Sequence, residues 1–99
     1  MGGEDLARIL ARLREHSREV QAQYRARLLG VFGSFARGEE GPASDLDLLV
    51  EFLPGASLFD LVRLADYLEE VLGLRVDIVP VDTLRKEVRE QVLRELVPV

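Results

Sequence analysis

Three aspartates have the type and spacing for metal-dependent chemistry: Asp45 and Asp47 in "SDLDLLVEF", and Asp77 in "RVDIVPV". Residues i and i+2 of a β-strand point to the same face of a sheet, ~7 Å apart. If the strand that holds Asp77 pairs beside the first, all three carboxylates share that face. Converging carboxylates repel one another unless a cation is bound, and hard oxygen ligands suit Mg²⁺ or Mn²⁺. An Asp-x-Asp alone is more often a solvated strand face or a charge that protects a sheet edge.

A Gly-Ser step, Gly33-Ser34, ends the apolar run 27–33 that precedes these aspartates. Glycine at the end of a strand lets a triphosphate approach the backbone, where the N–H groups of a turn can bind its oxygens. If "SFARG" opens with a helical turn, the N-terminus of that turn adds favourable partial charge. Gly-Ser by itself is more often an ordinary turn.

Three polar residues around this step could contact a nucleotide. Ser34 offers a short hydroxyl donor, and Arg37 offers a planar cation that suits phosphate. Ser44 either shapes the turn before the first aspartate or orients one of the two carboxylates. Taken alone, Arg37 would be an ordinary surface residue.

The elements that must position these residues follow from hydrophobic periodicity and turn signals. One helix is predicted to begin at a Ser57/Asp60 capping box and to end at Gly73. Its predicted apolar stripe consists of Leu58, Leu61, Val62, Ala65, Leu68, Val71 and Leu72. We predict a helix from residue 4 towards 24 with a break near 16–17, strands over 27–33, 45–52 and 75–81, and a C-terminal helix from Asp82 or Thr83. The order predicts one domain, residues 1–99, of the two-layer α/β (α+β) class. Its small sheet would carry helices on one face and the acidic site on the other, open face.

Composition narrows the function. The net charge of −5 argues against a generic nucleic-acid binder, although a metal ion could still recruit a nucleotide. The absence of cysteine excludes thiolate catalysis and zinc–thiolate sites. No apolar run approaches the ~20 residues of a membrane span, which leads us to expect a cytoplasmic protein that does not bind membranes. The single histidine, His16, is interpreted as a solvated helix residue.

Taken together, "GSFARG", "SDLDLLV" and "RVDIV" resemble the signature of the DNA polymerase β-type nucleotidyltransferases. The short chain is similar to the minimal, MntA-like members of bacteria and archaea. The motif-bearing part runs from about residue 27 to 81, and Phe35 stands where a basic or aromatic residue commonly follows Gly-Ser. This resemblance implies the polymerase β-like fold.

The resemblance also implies roles for the residues. Gly33 and Ser34 would hold the β- and γ-phosphates of ATP or another NTP, and Asp45 and Asp47 would coordinate two Mg²⁺ ions. Asp77 would bind the metal nearer the incoming hydroxyl and help that hydroxyl to ionise. Attack at the α-phosphorus would transfer a nucleoside monophosphate and release pyrophosphate.

The motifs themselves do not identify the acceptor. Larger members of the superfamily carry extra acceptor domains, for which 99 residues leave no room, and minimal members are typically paired with HEPN-domain toxins. The resemblance therefore implies an antitoxin that adenylylates a tyrosine of such a toxin. Two alternatives stay open. One is a non-catalytic module that neutralises a partner by contact, through the C-terminal helix or through Phe59 and Tyr67. The other is a nucleotidyltransferase for RNA or a small molecule whose acceptor site a partner subunit completes.

Overall fold

The described part of the chain forms four α-helices and a four-stranded sheet. The computed structural model describes residues 2–99, with side-chain surroundings from residue 5 onward. The elements are α1 (Gly2–Tyr24), β1 (Ala26–Phe32), α2 (Ser34–Arg37), β2 (Leu46–Phe52), α3 (Leu58–Leu72), β3 (Val76–Pro80), a 3₁₀ turn (Val81–Thr83), α4 (Lys86–Glu95) and β4 (Val97–Pro98).

The strands lie in the order β3-β2-β1-β4, which makes the sheet mixed. β1 runs antiparallel to β2 and to β4, whereas β2 and β3 are parallel. The connection between β2 and β3 contains α3, as a parallel pair requires a crossover. This pairing confirms the expectation that the strand of Asp77 lies beside the strand of Asp47.

One face of the sheet packs against α1 and α3. Its core contains side chains that are fully shielded from solvent, among them Leu13 of α1, Leu48 and Val50 of β2, and Leu64 and Leu68 of α3. The alternation of β2 places Asp47 on the opposite face. The predicted two-layer α/β arrangement is therefore correct.

The opposite face is more covered than the sequence suggested. Leu49, which shares that face with Asp47, is fully buried. Its partner in β1 is Gly30, which follows an irregularity in the β1–β2 register. A Cβ on Gly30 would lie 2.7 Å from Cγ of Leu96 and 2.6 Å from the carbonyl oxygen of Val97. The segment after α4 therefore lies on this face, and only part of the face is open.

The helices confirm some sequence expectations and correct others. The Ser57/Asp60 capping box and the left-handed Gly73 bound α3 as predicted. α1 has no break near residue 16, and α4 begins at residue 86 instead of residue 82 or 83, which belong to the 3₁₀ turn. The two-residue strand β4 was not predicted, because two residues carry no periodicity.

The packing of α1 on α3 corrects the interpretation of His16. Its Nδ1 lies 2.7 Å from the Tyr67 hydroxyl oxygen, within hydrogen-bonding distance, and the two rings meet edge to face. His16 is therefore a half-buried packing residue instead of a solvated one. Tyr67 is half-buried for the same reason.

None of the helices in the described part of the chain is long and apolar enough to cross a membrane.

The apolar stripe of α3 gives a direct test of this packing. Leu64, which the predicted stripe omitted, is fully buried, whereas Val62, which the stripe included, is 52% exposed. Leu64→Ala should lower the free energy of unfolding by about 2–5 kcal/mol because it leaves a cavity in the core. Val62→Ala should change it by less than about 0.5 kcal/mol. Urea denaturation followed by circular dichroism measures both, and equal losses would contradict the packing described.

Candidate active site

Asp47 and Asp77 form the centre of the candidate site. They are direct register partners in the parallel pair β2–β3, so their side chains emerge from the same face. Asp47 is half-buried and Asp77 is exposed on the edge strand. The structure thus places two of the three predicted carboxylates side by side: Asp47 on the inner strand β2 and Asp77 on the edge strand β3.

Gly33 lies directly against the Asp47 carboxylate. A Cβ at this position would come within 2.2 Å of Oδ2 of Asp47, so a side chain there would displace the Asp47 carboxylate. Its φ of 76° also lies in the region that glycine adopts without steric cost. Phe32, the preceding residue, is the β1 partner of Asp47. Because Gly33 has no side chain, the backbone at the end of β1 lies directly against the Asp47 carboxylate of β2.

The "SFAR" segment forms a single helical turn, α2, as the sequence suggested. The backbone N–H of Arg37 donates to the carbonyl of Gly33, and the turn ends at the left-handed Gly38. Phe35 is buried and anchors the turn in the core, which explains why an apolar residue is accommodated at this position. Ser34 remains half-buried at the start of the turn, beside Gly33.

Asp45 lies outside β2 and makes a different contact. Its Oδ1 is 3.3 Å from Nε of Arg75, a side chain that is 82% exposed. The same oxygen is buried, yet it accepts no hydrogen bond from the described residues. The exposed ion pair contributes little to stability. Asp45 therefore holds a buried acceptor oxygen at the margin of the site whose hydrogen-bonding capacity is unused.

The environment of Asp47 disfavours its charged form. Burial raises the pKa of Asp47, and the nearby negative charges of Asp77 and Asp45 raise it further. The positive charge of Arg37 acts in the opposite direction and lowers this pKa. The net direction is upward.

Arg37 makes two ion pairs that sequence reasoning missed. Its Nε donates to Oε1 of Glu39 at 2.9 Å, and its Nη1 donates to Oε1 of Glu95 at 3.0 Å. Both carboxylates raise the pKa of Arg37. Glu39 was recognisable as a near neighbour in sequence, but nothing in the sequence connects Glu95 to a residue 58 positions away.

The hydroxyl of Ser44 takes part in the turn before Asp45. Its Oγ accepts a hydrogen bond of 2.9 Å from the backbone N–H of Gly41. Of the two roles considered for Ser44, shaping the turn is the one for which a contact is present.

The donor set suits a divalent cation, although the side chains are not gathered around one point. Within the described residues, no three histidine or acidic side chains stand close enough together to form a ready-made metal cage. Asp45 nevertheless keeps a buried oxygen that faces Arg75 but accepts no hydrogen bond from the described residues, and the charged form of Asp47 is disfavoured by burial and by two neighbouring carboxylates. A cation would relieve both, and the oxygen chemistry fits Mg²⁺ or Mn²⁺.

Comparison with known proteins assigns the family. The sequence model of the nucleotidyltransferase domain matches residues 13–99. The chain belongs to the nucleotidyltransferase domain family. It is 44% identical to the protein adenylyltransferase MntA of Thermococcus cleftensis over 85 residues. This alignment covers 86% of each chain. A Methanocaldococcus jannaschii protein that is also described as a protein adenylyltransferase is 48% identical over 69 residues, covering 70% of this chain and 74% of that one.

Solved structures agree with the family assignment. A structure described as a minimal nucleotidyltransferase superimposes with a TM-score of 0.81 at 49% identity and covers 95% of both chains. A toxin–antitoxin crystal structure with AMP-PNP shares the fold at a TM-score of 0.62 and 23% identity, over 77% of this chain and 63% of that chain. The chain is thus a nucleotidyltransferase with the polymerase β-like fold that the sequence motifs predicted.

The raised pKa of Asp47 predicts a pH-dependent stability of the metal-free protein. Because the folded-state pKa lies above the usual value of 3.8, ionised Asp47 disfavours the folded state. Its favourable contribution is complete below pH 3.8 and is lost as the pH rises through the folded-state pKa. In EDTA, Asp47→Asn should therefore melt at a higher temperature than the wild type at pH 7, and the difference should shrink towards pH 3.

A control separates this effect from a general effect of removing charge. Asp66→Asn changes the same charge at an exposed position of α3 and should leave the melting temperature nearly unchanged across this pH range. Melting curves from calorimetry between pH 3 and pH 8 measure both variants. A lower melting temperature for Asp47→Asn at pH 7 would contradict the prediction.

Proposed function

We propose that this nucleotidyltransferase transfers AMP from ATP to a hydroxyl group of a partner protein and releases pyrophosphate. The observation that supports it most directly is the adjacency of Asp47 and Asp77 on the face where Gly33 packs against Asp47. Relatives that cover most of the chain are described as protein adenylyltransferases, which favours ATP as the donor and a protein as the acceptor.

The proposed partner is a toxin that the modification silences. A toxin–antitoxin complex contains a chain of the same fold, together with AMP-PNP. We propose further that the toxin is a HEPN-domain protein and that the acceptor is the hydroxyl of a tyrosine. This places the protein's action in the cytoplasm, where ATP and an intracellular toxin meet.

In the proposed reaction, Asp45, Asp47 and Asp77 would hold Mg²⁺. When bound, two such ions would neutralise the triphosphate and the developing charge on the attacking and leaving oxygens. The carboxylate of Asp77, exposed on the edge strand, lies where an incoming hydroxyl can reach it and accepts the hydroxyl proton. A bond then forms between the acceptor oxygen and the α-phosphorus while the bond to pyrophosphate breaks.

The turn after β1 holds the donor end of the nucleotide. Gly33 lets the β- and γ-phosphates approach the backbone, and Ser34 donates its hydroxyl to them. The first N–H groups of a helical turn have no acceptors within the turn and can bind phosphate oxygens. Arg37 adds a planar cation, and Ser44 keeps the turn before Asp45 in shape. Catalysis then rests on positioning and charge neutralisation.

A second function, neutralisation of a partner by contact alone, is favoured by one surface. Leu58, Phe59 and Val62 of α3 are exposed large apolar side chains, and Phe59 is 80% exposed. Exposed apolar clusters of this kind commonly mark protein interaction sites. Tyr67, the other aromatic residue considered for this role, is half-buried against His16 and does not extend the surface.

The proposed function predicts transfer that depends on the aspartates. The chain is incubated with Mg²⁺, ATP labelled in its α-phosphate, and the protein encoded beside its own gene. Label should appear on that protein, and Asp45→Asn/Asp47→Asn should reduce the transfer by about a thousandfold or more, because several kcal/mol of charge stabilisation are lost. Gel electrophoresis with mass spectrometry measures the label and locates it.

The other outcomes assign the function elsewhere. Neutralisation of the partner without label, equal in wild type and variant, would establish the contact mechanism in place of transfer. Label on RNA or on a small molecule, and none on the protein, would contradict the proposed acceptor. Label on a residue other than tyrosine would contradict only the proposed acceptor side chain.

The carboxylate repulsion predicts a further response to metal. Mg²⁺ should raise the melting temperature of the wild type, since a ligand at a hundredfold its Kd stabilises the folded state by ~2.7 kcal/mol. Asp45→Asn/Asp47→Asn should lose this response, whereas Asp66→Asn should keep it. Differential scanning calorimetry at constant ionic strength measures the shift, and equal shifts in wild type and double variant would contradict the proposed metal site.

A further inference from the structure

Arg37 is connected to the far end of the chain by an ion pair that the family motif does not contain. Its Nη1 donates to Glu95, the last residue of α4, while its Nε donates to Glu39 in the loop after α2. Two separate carboxylates thus fix the guanidinium from two sides. The long side chain of arginine has many rotamers, so such a pair of contacts selects one orientation.

Glu95 is itself held in place by its neighbours. Val92, one turn earlier in α4, is buried, and Val97, two residues later, pairs with Val31 of β1. Gly30 brings this segment close to the sheet, because a Cβ there would overlap the carbonyl oxygen of Val97. The side chain of Glu95 is only 33% exposed. A fixed carboxylate is therefore presented to Arg37, whose own side chain is about half exposed, at 48%.

Arg37 lies at the acidic site. It ends α2, the turn that begins next to Gly33, and Gly33 is in contact with the Asp47 carboxylate. Its positive charge lowers the pKa of Asp47, in agreement with this placement. Two of its guanidinium nitrogens are engaged by Glu39 and Glu95, which leaves Nη2 without an acceptor among residues 5–99.

We propose that Glu95 is a positioning residue that holds the Arg37 guanidinium in the orientation that binds the phosphates of the nucleotide. This inference rests on the proposed role of Arg37 in nucleotide binding. The free Nη2 is the donor available to a phosphate oxygen while Glu95 and Glu39 hold the other two nitrogens. Preorganisation of this kind strengthens binding because the ordering of the side chain does not have to occur when the ligand arrives.

The sign of the effect separates positioning from simple electrostatics. A carboxylate near a triphosphate repels it, so removal of the Glu95 charge should by itself strengthen ATP binding. Loss of a positioning contact should instead weaken binding. A purely structural role would lower the melting temperature of Glu95→Gln without a selective effect on binding of the ATP analogue, so the melting temperature separates that role from positioning.

Calorimetric titration of the full chain with Mg²⁺ and a non-hydrolysable ATP analogue tests the proposal, with AMP as the second ligand. Glu95→Gln should weaken binding of the ATP analogue about 3- to 10-fold, the range expected when one long side chain must be ordered on binding. Binding of AMP, which lacks the β- and γ-phosphates, should stay unchanged. Glu90→Gln is the matched control, since it removes the same charge from an exposed position of α4 and should not weaken binding.

Two further variants complete the test. Glu95→Asp keeps the charge but withdraws it by one methylene group, and it should weaken binding of the ATP analogue as well. In an Arg37→Ala background, Glu95→Gln should cause no additional weakening, because the residue through which it acts is absent. Melting temperatures of all variants are measured in parallel to identify any that do not fold.

The outcomes distinguish the two levels of the proposal. If Arg37→Ala weakens binding of the ATP analogue and Glu95→Gln leaves it unchanged or tighter, the positioning role of Glu95 is wrong and the role of Arg37 stands. If Arg37→Ala itself leaves binding unchanged, the phosphate-binding role of Arg37 is wrong and Glu95 has no role through it. Equal weakening of the ATP analogue and AMP by Glu95→Gln would also overturn the proposal.

Discussion

The contact between the Asp47 carboxylate and the bare backbone of Gly33 is the constraint on which the rest of the site depends. It favours a residue without a Cβ after β1, because a Cβ there would displace the Asp47 carboxylate from its present position. It also requires the antiparallel register that sets Phe32 opposite Asp47. The turn that begins at Ser34 is thereby fixed beside the acidic strand. The phosphate-binding and metal-binding halves of the proposed mechanism meet at this contact.

A destabilised charge at this position needs a stable framework around it. Asp47 is half-buried beside Asp77, and its raised pKa shows that its charged form is disfavoured in the folded protein. Leu46 and Leu48, its neighbours in β2, point to the other face and are fully buried. Because side chains alternate along β2, the same strand buries Leu46 and Leu48 in the core and carries Asp47 on the opposite face. The free energy gained by burying the leucines offsets the cost of the Asp47 charge.

The sequence was sufficient for the parts that depend on local pattern. Alternation placed Asp47 opposite the core, the capping box and Gly73 bounded α3, and the spacing of the aspartates located the acidic face. What it could not give depends on contacts between distant segments. The burial of Leu49 requires the segment after α4 to lie on the acidic face, and the Arg37–Glu95 pair joins residues 58 positions apart in the sequence. The three-dimensional path of the chain decides such contacts, and no short-range periodicity encodes it.

The two edges of the sheet are unequal, and this has a consequence for the proposed reaction. On the β4 side, Leu96 and Val97 lie close over Gly30, so the acidic face is covered there. On the β3 side, Asp77 is exposed on an edge strand with no strand beyond it in the described sheet. A tyrosine presented by another protein needs an open approach, because its backbone comes with it. Asp77, the base-like carboxylate of the proposed mechanism, stands exposed at the β3 edge, and this is the side from which the proposed acceptor would approach.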